Sequence, residues 1–291
     1  MAISYSFCSV RHVRTLLTEI SQCGVEPPKV LTELVSAFDE LEHVSAVSDP
    51  IAGLVKAIVS GQLRGKELDA AVDDADDALR HRDFRAGLAA RVEPALVREC
   101  ITALDAGGAA DVVIDSLRPQ FDVAAAKLVE CAELVDPGTD PETFLASATA
   151  EQIRAWQEID EHVATLTKIS SVVAHFGPHS TSFPLSEMPA NISAHMGFVN
   201  NNGVMCVSPE WGLERGCQLF LNHGSHRNSP WFRGAAVLKL NTIAETREKI
   251  RAWAEVAWDA MNINQGRGRF EDGEFVPEPV SNPFAIRETV S

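Results

Sequence analysis

Five of the nine histidines fall between positions 175 and 226, and two cysteines share that stretch. His175, His179, His195, Cys206, Cys217, His223 and His226 are therefore the concentration of side chains best able to do chemistry. Neutral imidazole and thiolate are the preferred ligands of zinc, and the spacings His175/His179 and His223/His226 place two nitrogens on one ion where the backbone is helical or tightly turned. The ligand grammar is incomplete, because Gly177-Pro178 interrupts the first pair and no Glu follows either His as in the H-E-x-x-H hydrolases. The expectation is that these residues satisfy backbone groups and fill space, with no cofactor. Zinc held by Cys206, Cys217, His223 and His226 is the alternative.

No other constellation is complete. Ser180, Ser182, Ser225 and Ser229 lack a G-x-S-x-G elbow, and Cys217 with His223 lacks an orienting third residue. The aspartates of 69–77 lack the glycine turn and terminal Glu of a calcium loop, so they read as a solvated helix face. Gly266-Arg267-Gly268-Arg269 is followed at once by Glu271, Asp272 and Glu274, which cancel its field. Lys plus Arg total 25 against 41 Asp plus Glu, and a net charge of -16 repels a polyanion, so no nucleic-acid partner is expected. No uncharged apolar stretch approaches the length of a membrane span, and Met1–Val10 lacks the pattern of a secretory signal. A cytoplasmic protein with reduced thiols is expected.

Positioning falls to helices. Val13, Leu16, Leu17 and Ile20 recur on one helical face; Val30, Leu31, Leu34, Val35, Phe38 and Leu41 form a second stripe; Ile51, Leu54, Val55 and Ile58 form a third after Ser48-Asp49-Pro50. Phe84–Leu104 is again amphipathic and ends at Gly107-Gly108. Leu117, Phe121, Ala124, Leu128, Cys131 and Val135 alternate four and three apart, as do Trp156, Ile159, Val163, Leu166 and Val173 with polar Ser170 between the last two. Asp136-Pro137-Gly138-Thr139-Asp140-Pro141 separates the two seams, so an antiparallel helical hairpin is expected over 117–135 and 149–175.

From Ile169 to Pro209 the only charged side chain is Glu187, and prolines are frequent. Gly197–Val207 reads as two short strands about an Asn-Gly turn, with further strands at Leu219–Leu221 and Ala235–Leu240. A last helix is expected at 242–261, burying Ile243, Ile250, Trp253, Val256, Ala257 and Met261. The fold class is thus mainly α: a helical domain over 1–176 with a long antiparallel hairpin, a small α+β module over 177–265, and an extended arm over 266–291. The heptad seams, the arm and the incomplete catalytic motifs point to a non-catalytic interaction or assembly protein, a phage-type structural component being one form. Its partner would be another protein or a second copy. A zinc enzyme or structural-zinc protein built on 175–226 is the rival.

Overall fold

The computed structural model describes residues 9–43, 50–188, 199–221, 228–260, 268–271 and 274–277. Two compact units emerge, one comprising Met1–Thr18 with Glu26–Ala109 and the other Glu19–Val25 with Ala110–Ser291. The loss of charge near position 170 therefore falls inside the second unit, alongside the helices that precede it.

The expected helices of the first unit are present: α1 (Val10–Gln22), α2 (Lys29–His43), α3 (Pro50–Val59) and α4 (Lys66–Leu104). The capping signal Ser48-Asp49 before Pro50 lies outside the described residues. Helix α4 joins the acidic run and the amphipathic stretch into one rod of 39 residues, continuous through Pro94. Helices α2 and α3 both pack on it. Val13, Leu16, Leu31, Val35, Phe38, Val97, Cys100 and Leu104 are buried, as their 3.6-residue period requires. The amide of Val10, one of the donors that a helix start leaves unpaired, is accepted by Glu93 Oε1 at 3.1 Å.

In the second unit, α5 (Ala109–Leu134) buries all six residues of the first seam, Leu117, Phe121, Ala124, Leu128, Cys131 and Val135. Helix α7 (Ala150–Ala174) buries Trp156, Ile159, Leu166, Ser170 and Val173, while Val163 is half-buried. An unforeseen helix α6 (Pro141–Ser147) intervenes. Asp140 caps it by accepting from the Thr143 amide at 3.0 Å, and Thr149 with Gln152 forms a capping box for α7.

The rest of this unit departs from expectation. Residues read as strands are helical in α8 (Asn201–Met205) and at the end of α9 (Leu213–Leu221), and Ala235–Val237 forms a 3-10 turn like Pro209–Trp211; α10 (Pro230–Arg233) is unforeseen, while the expected last helix is present as α11 (Ile243–Ala260). Among the described residues of 177–265, strand pairing is reduced to one antiparallel bridge, Val207 to Leu238. The expected α+β module is thus a helical one. Antiparallel strands β1 (Gly268–Glu271) and β2 (Glu274–Pro277) lie instead in the presumed extended arm, with Arg269 opposite Val276. On α11, Ile243, Ile250 and Ala257 are buried and Trp253 is half-buried, but Val256 is 69% exposed, contrary to expectation; Met261 lies outside the described residues. No described helix is long and apolar enough to cross a membrane.

Candidate functional site

The Asn-Gly pair does not turn a hairpin. Asn200 caps α8, its Oδ1 accepting from the Gly203 amide at 2.7 Å, while its Nδ2 donates to the Cys217 carbonyl at 2.9 Å. Asn201 donates to the Ala174 carbonyl at 3.1 Å and accepts from the His179 amide at 3.0 Å. Both side chains answer backbone groups that irregular chain would otherwise leave unpaired. Gly203 and Gly216 let α8 and α9 cross backbone to backbone, since a Cβ on Gly216 would stand 2.7 Å from the Gly203 carbonyl oxygen.

The C-terminal carbonyls of so short a helix have no intrahelical donors. Lys249 of α11 supplies them. Its side chain is buried, and Nζ donates to the carbonyls of Gly203 at 2.9 Å, Val207 at 2.8 Å and Val204 at 3.4 Å. Asn241, also buried, donates from Nδ2 to Val204 at 3.0 Å and Val207 at 2.8 Å. The ammonium spends its donors on these carbonyls and acts as a fixed cation at the negative end of α8.

Burial pushes Lys249 down to about 8, an effect that the nearby sulfurs of Cys217 and Cys206 oppose only in part. In the unfolded chain the amine keeps its proton to about pH 10.4. Between these values the unfolded state binds more protons, so this group makes stability rise with pH; below pH 8 the cost of burying the charge is fully present. Burial also pushes the Cys206 thiol up to about 12 and raises Cys217, which has the opposite effect at alkaline pH. Comparison with Lys249→Met removes the burial effect on the thiols, which both proteins share. From about pH 7 to about pH 10 the wild type should gain about 2 kcal/mol over that variant in urea unfolding. A gap independent of pH would overturn this account of Lys249.

Cys206 and Cys217 are thus brought to one place, but as buried thiols beside a cation. A thiolate is the form that attacks or ligates, and burial disfavours it here. His175 is elsewhere, its Nε2 2.9 Å from Glu19 Oε2, and His179 is exposed. His195, His223 and His226 lie outside the described residues. Among the described residues no three His, Cys, Asp or Glu side chains gather as metal ligands would. Sequence reasoning passed over Lys249 and Asn241. The available signal was a lysine directly before Ile250 whose neighbours one turn later on the helix, Ala252 and Trp253, are apolar.

A groove of about 480 Å³ runs beside Lys249, walled by Leu213, Ala252, Trp253 and Val256, with Glu245 and Glu248 among its polar groups. Glu245 is committed to structure. It accepts from the Thr242 amide at 2.9 Å and from Lys239 Nζ at 2.8 Å, and these bonds outweigh burial to hold its carboxyl below its ordinary value.

The first unit presents a surface of another kind. On α3, Ile51, Val55, Ile58 and Val59 are 44%, 50%, 42% and 82% exposed, while Leu54 and Ala57 line a groove with Ala71 and Ala75 of α4. Stripe and groove lie on different sides of the same short helix. On α4, Phe84 is 69% exposed. Comparison of the chain with protein families, with curated proteins and with solved structures finds no match.

Proposed function

We propose that this chain is a non-catalytic assembly protein that associates with copies of itself through helical surfaces. The observation that carries the reading is the outer stripe of α3, where four large apolar side chains of a ten-residue helix stand in water. Clustered exposed apolar side chains mark interaction surfaces, whereas single ones need no explanation. The second unit supports the same reading, because its buried lysine and thiols are engaged in holding α8, α9 and α11 together. Within that unit, α7 packs on α8 and α10, and the seam of α5 is buried. The bond from Gln152 Nε2 to the Leu134 carbonyl, at 3.2 Å, joins the start of α7 to the end of α5.

Light scattering of the intact chain over a micromolar concentration series tests the function. The expected mass rises above the 31.6 kDa of one chain as concentration increases. A mass fixed at one chain throughout the series would overturn the reading.

A further inference from the structure

We propose that α4 pairs antiparallel with α4 of a second copy along an exposed seam formed by Asp73, Asp77, Arg80, Phe84, Gly87 and Arg91. This rests on the assembly reading above and adds to the α3 stripe a second surface, on α4, through which copies associate. The six residues are all exposed and are spaced alternately four and three apart. They run along the side of the helix opposite Ala75, which is buried. A seam of this period stays in register with a partner helix.

Charge identifies the partner. From 66 to 77, Lys66 is the lone cation among Glu67, Asp69, Asp73, Asp74, Asp76 and Asp77. From 78 to 91, Asp83 is the lone acid among Arg80, Arg82, Arg85 and Arg91. A helix whose halves carry opposite charge repels a parallel copy and complements a reversed one. Reversal about a two-fold axis is the symmetry of the commonest closed dimer. With the axis level with Arg82, Asp73 meets the partner's Arg91, Asp77 meets the partner's Gly87, and Arg80 meets the partner's Phe84. The whole seam is then used, without remainder.

Two features with little purpose in the isolated chain gain one in the pair. Gly87 lies mid-helix, where glycine is unfavourable, yet a Cβ there would meet nothing within 4 Å. No packing within the chain requires it, whereas a facing helix can approach closely at a glycine. Phe84 stands in water in one copy; in the pair its ring receives a guanidinium, a favourable cation–π contact. Arg80 reaches Asp76 at 2.6 Å, but that pair is exposed and one turn apart, so the arginine exchanges it readily for the ring.

Sedimentation of the full chain at low salt tests the pairing. Asp73→Arg alone and Arg91→Glu alone should each weaken self-association about tenfold or more, by setting like charges against each other in both symmetric contacts. An equimolar mixture of the two variants should recover wild-type association, because the new arginine then faces the new glutamate and the native pair persists at the other end. Circular dichroism of each variant should match wild type. If the wild type associates but the variants do so equally well, or if the mixture fails to recover, the pairing is overturned and the assembly reading stands. If the wild type never associates, both fall.

Discussion

Gly203→Ala should abolish the native packing of the second unit. A Cβ at this position would lie 2.4 Å from Cys217 Cα, 2.6 Å from its amide nitrogen and 2.6 Å from the Gly216 carbonyl oxygen. All three are backbone atoms, so no side chain can rotate aside. Only separation of α8 from α9 relieves the clash, and the attachments of this region fail with it. Gly203 donates its amide to Asn200, Asn200 holds the Cys217 carbonyl, and Lys249 holds the Gly203 carbonyl. Val204 and Cys217 also share one apolar cluster with Leu213, Ile250 and Ala254, so moving α8 opens the core against α11. A loss of roughly 3 to 5 kcal/mol or more is expected, above the usual range for overpacking because backbone must move. Gly53→Ala in α3 is the matched control. Its Cβ would meet nothing within 4 Å, and alanine should stabilise that helix by about 0.5 to 1 kcal/mol. Equal urea midpoints for the two variants would show that α8 and α9 do not cross at Gly203.

The same glycine shows where the sequence was legible and where it was not. Asn202-Gly203 is a strong local signal for a tight turn, and a local reading takes it as one. What decides its conformation is Gly216, thirteen residues later, whose missing side chain admits the backbone of α8. No window of neighbouring residues contains that information. Helices α1, α2 and α7, by contrast, announce themselves through apolar period and end signals that act within one or two turns. The α5 seam is legible for the same reason, and all six of its residues are buried.

Helix α11 combines both situations. Lys249 and Val256 lie two turns apart on the same flank, so period alone assigns them one environment, and polarity alone puts the valine inside and the lysine out. The protein does the reverse, with Lys249 buried and Val256 69% exposed. The carbonyls at the end of α8 stand beside Lys249 and give a buried ammonium what it needs, whereas Val256 has only the rim of an open groove. The sequence carries the histidines and cysteines plainly; which cation organises the end of α8 is a tertiary fact.

Leu128→Asp should cost several kcal/mol, because Leu128 is completely buried in the middle of the α5 seam. Two losses add. Removing a fully buried leucine side chain forfeits its transfer free energy and leaves a gap, together about 2 to 5 kcal/mol. Introducing a carboxyl among Phe121, Ala124, Ala125 and Cys131 adds a desolvation cost, since these neighbours along the helix bring no cation. The group then takes up a proton rather than remain charged, so its folded-state pKa rises above the ordinary value near 3.9. Below that value both states are protonated and only the packing loss remains. Above it the unfolded chain ionises while the folded one resists, so the deficit grows with pH until the folded state ionises as well. Val123→Asp separates the buried seam from the helix that carries it. Val123 stands five residues earlier on α5 and is 63% exposed, so the same new side chain there meets water. Its cost should remain within about 1 kcal/mol, close to the small difference in helix propensity, with no growth of the deficit between about pH 4 and pH 7. Urea midpoints of the two variants across that range decide the matter. Equal deficits, or a Leu128→Asp deficit that does not change with pH, would mean that the heptad seam of α5 does not face a dry core.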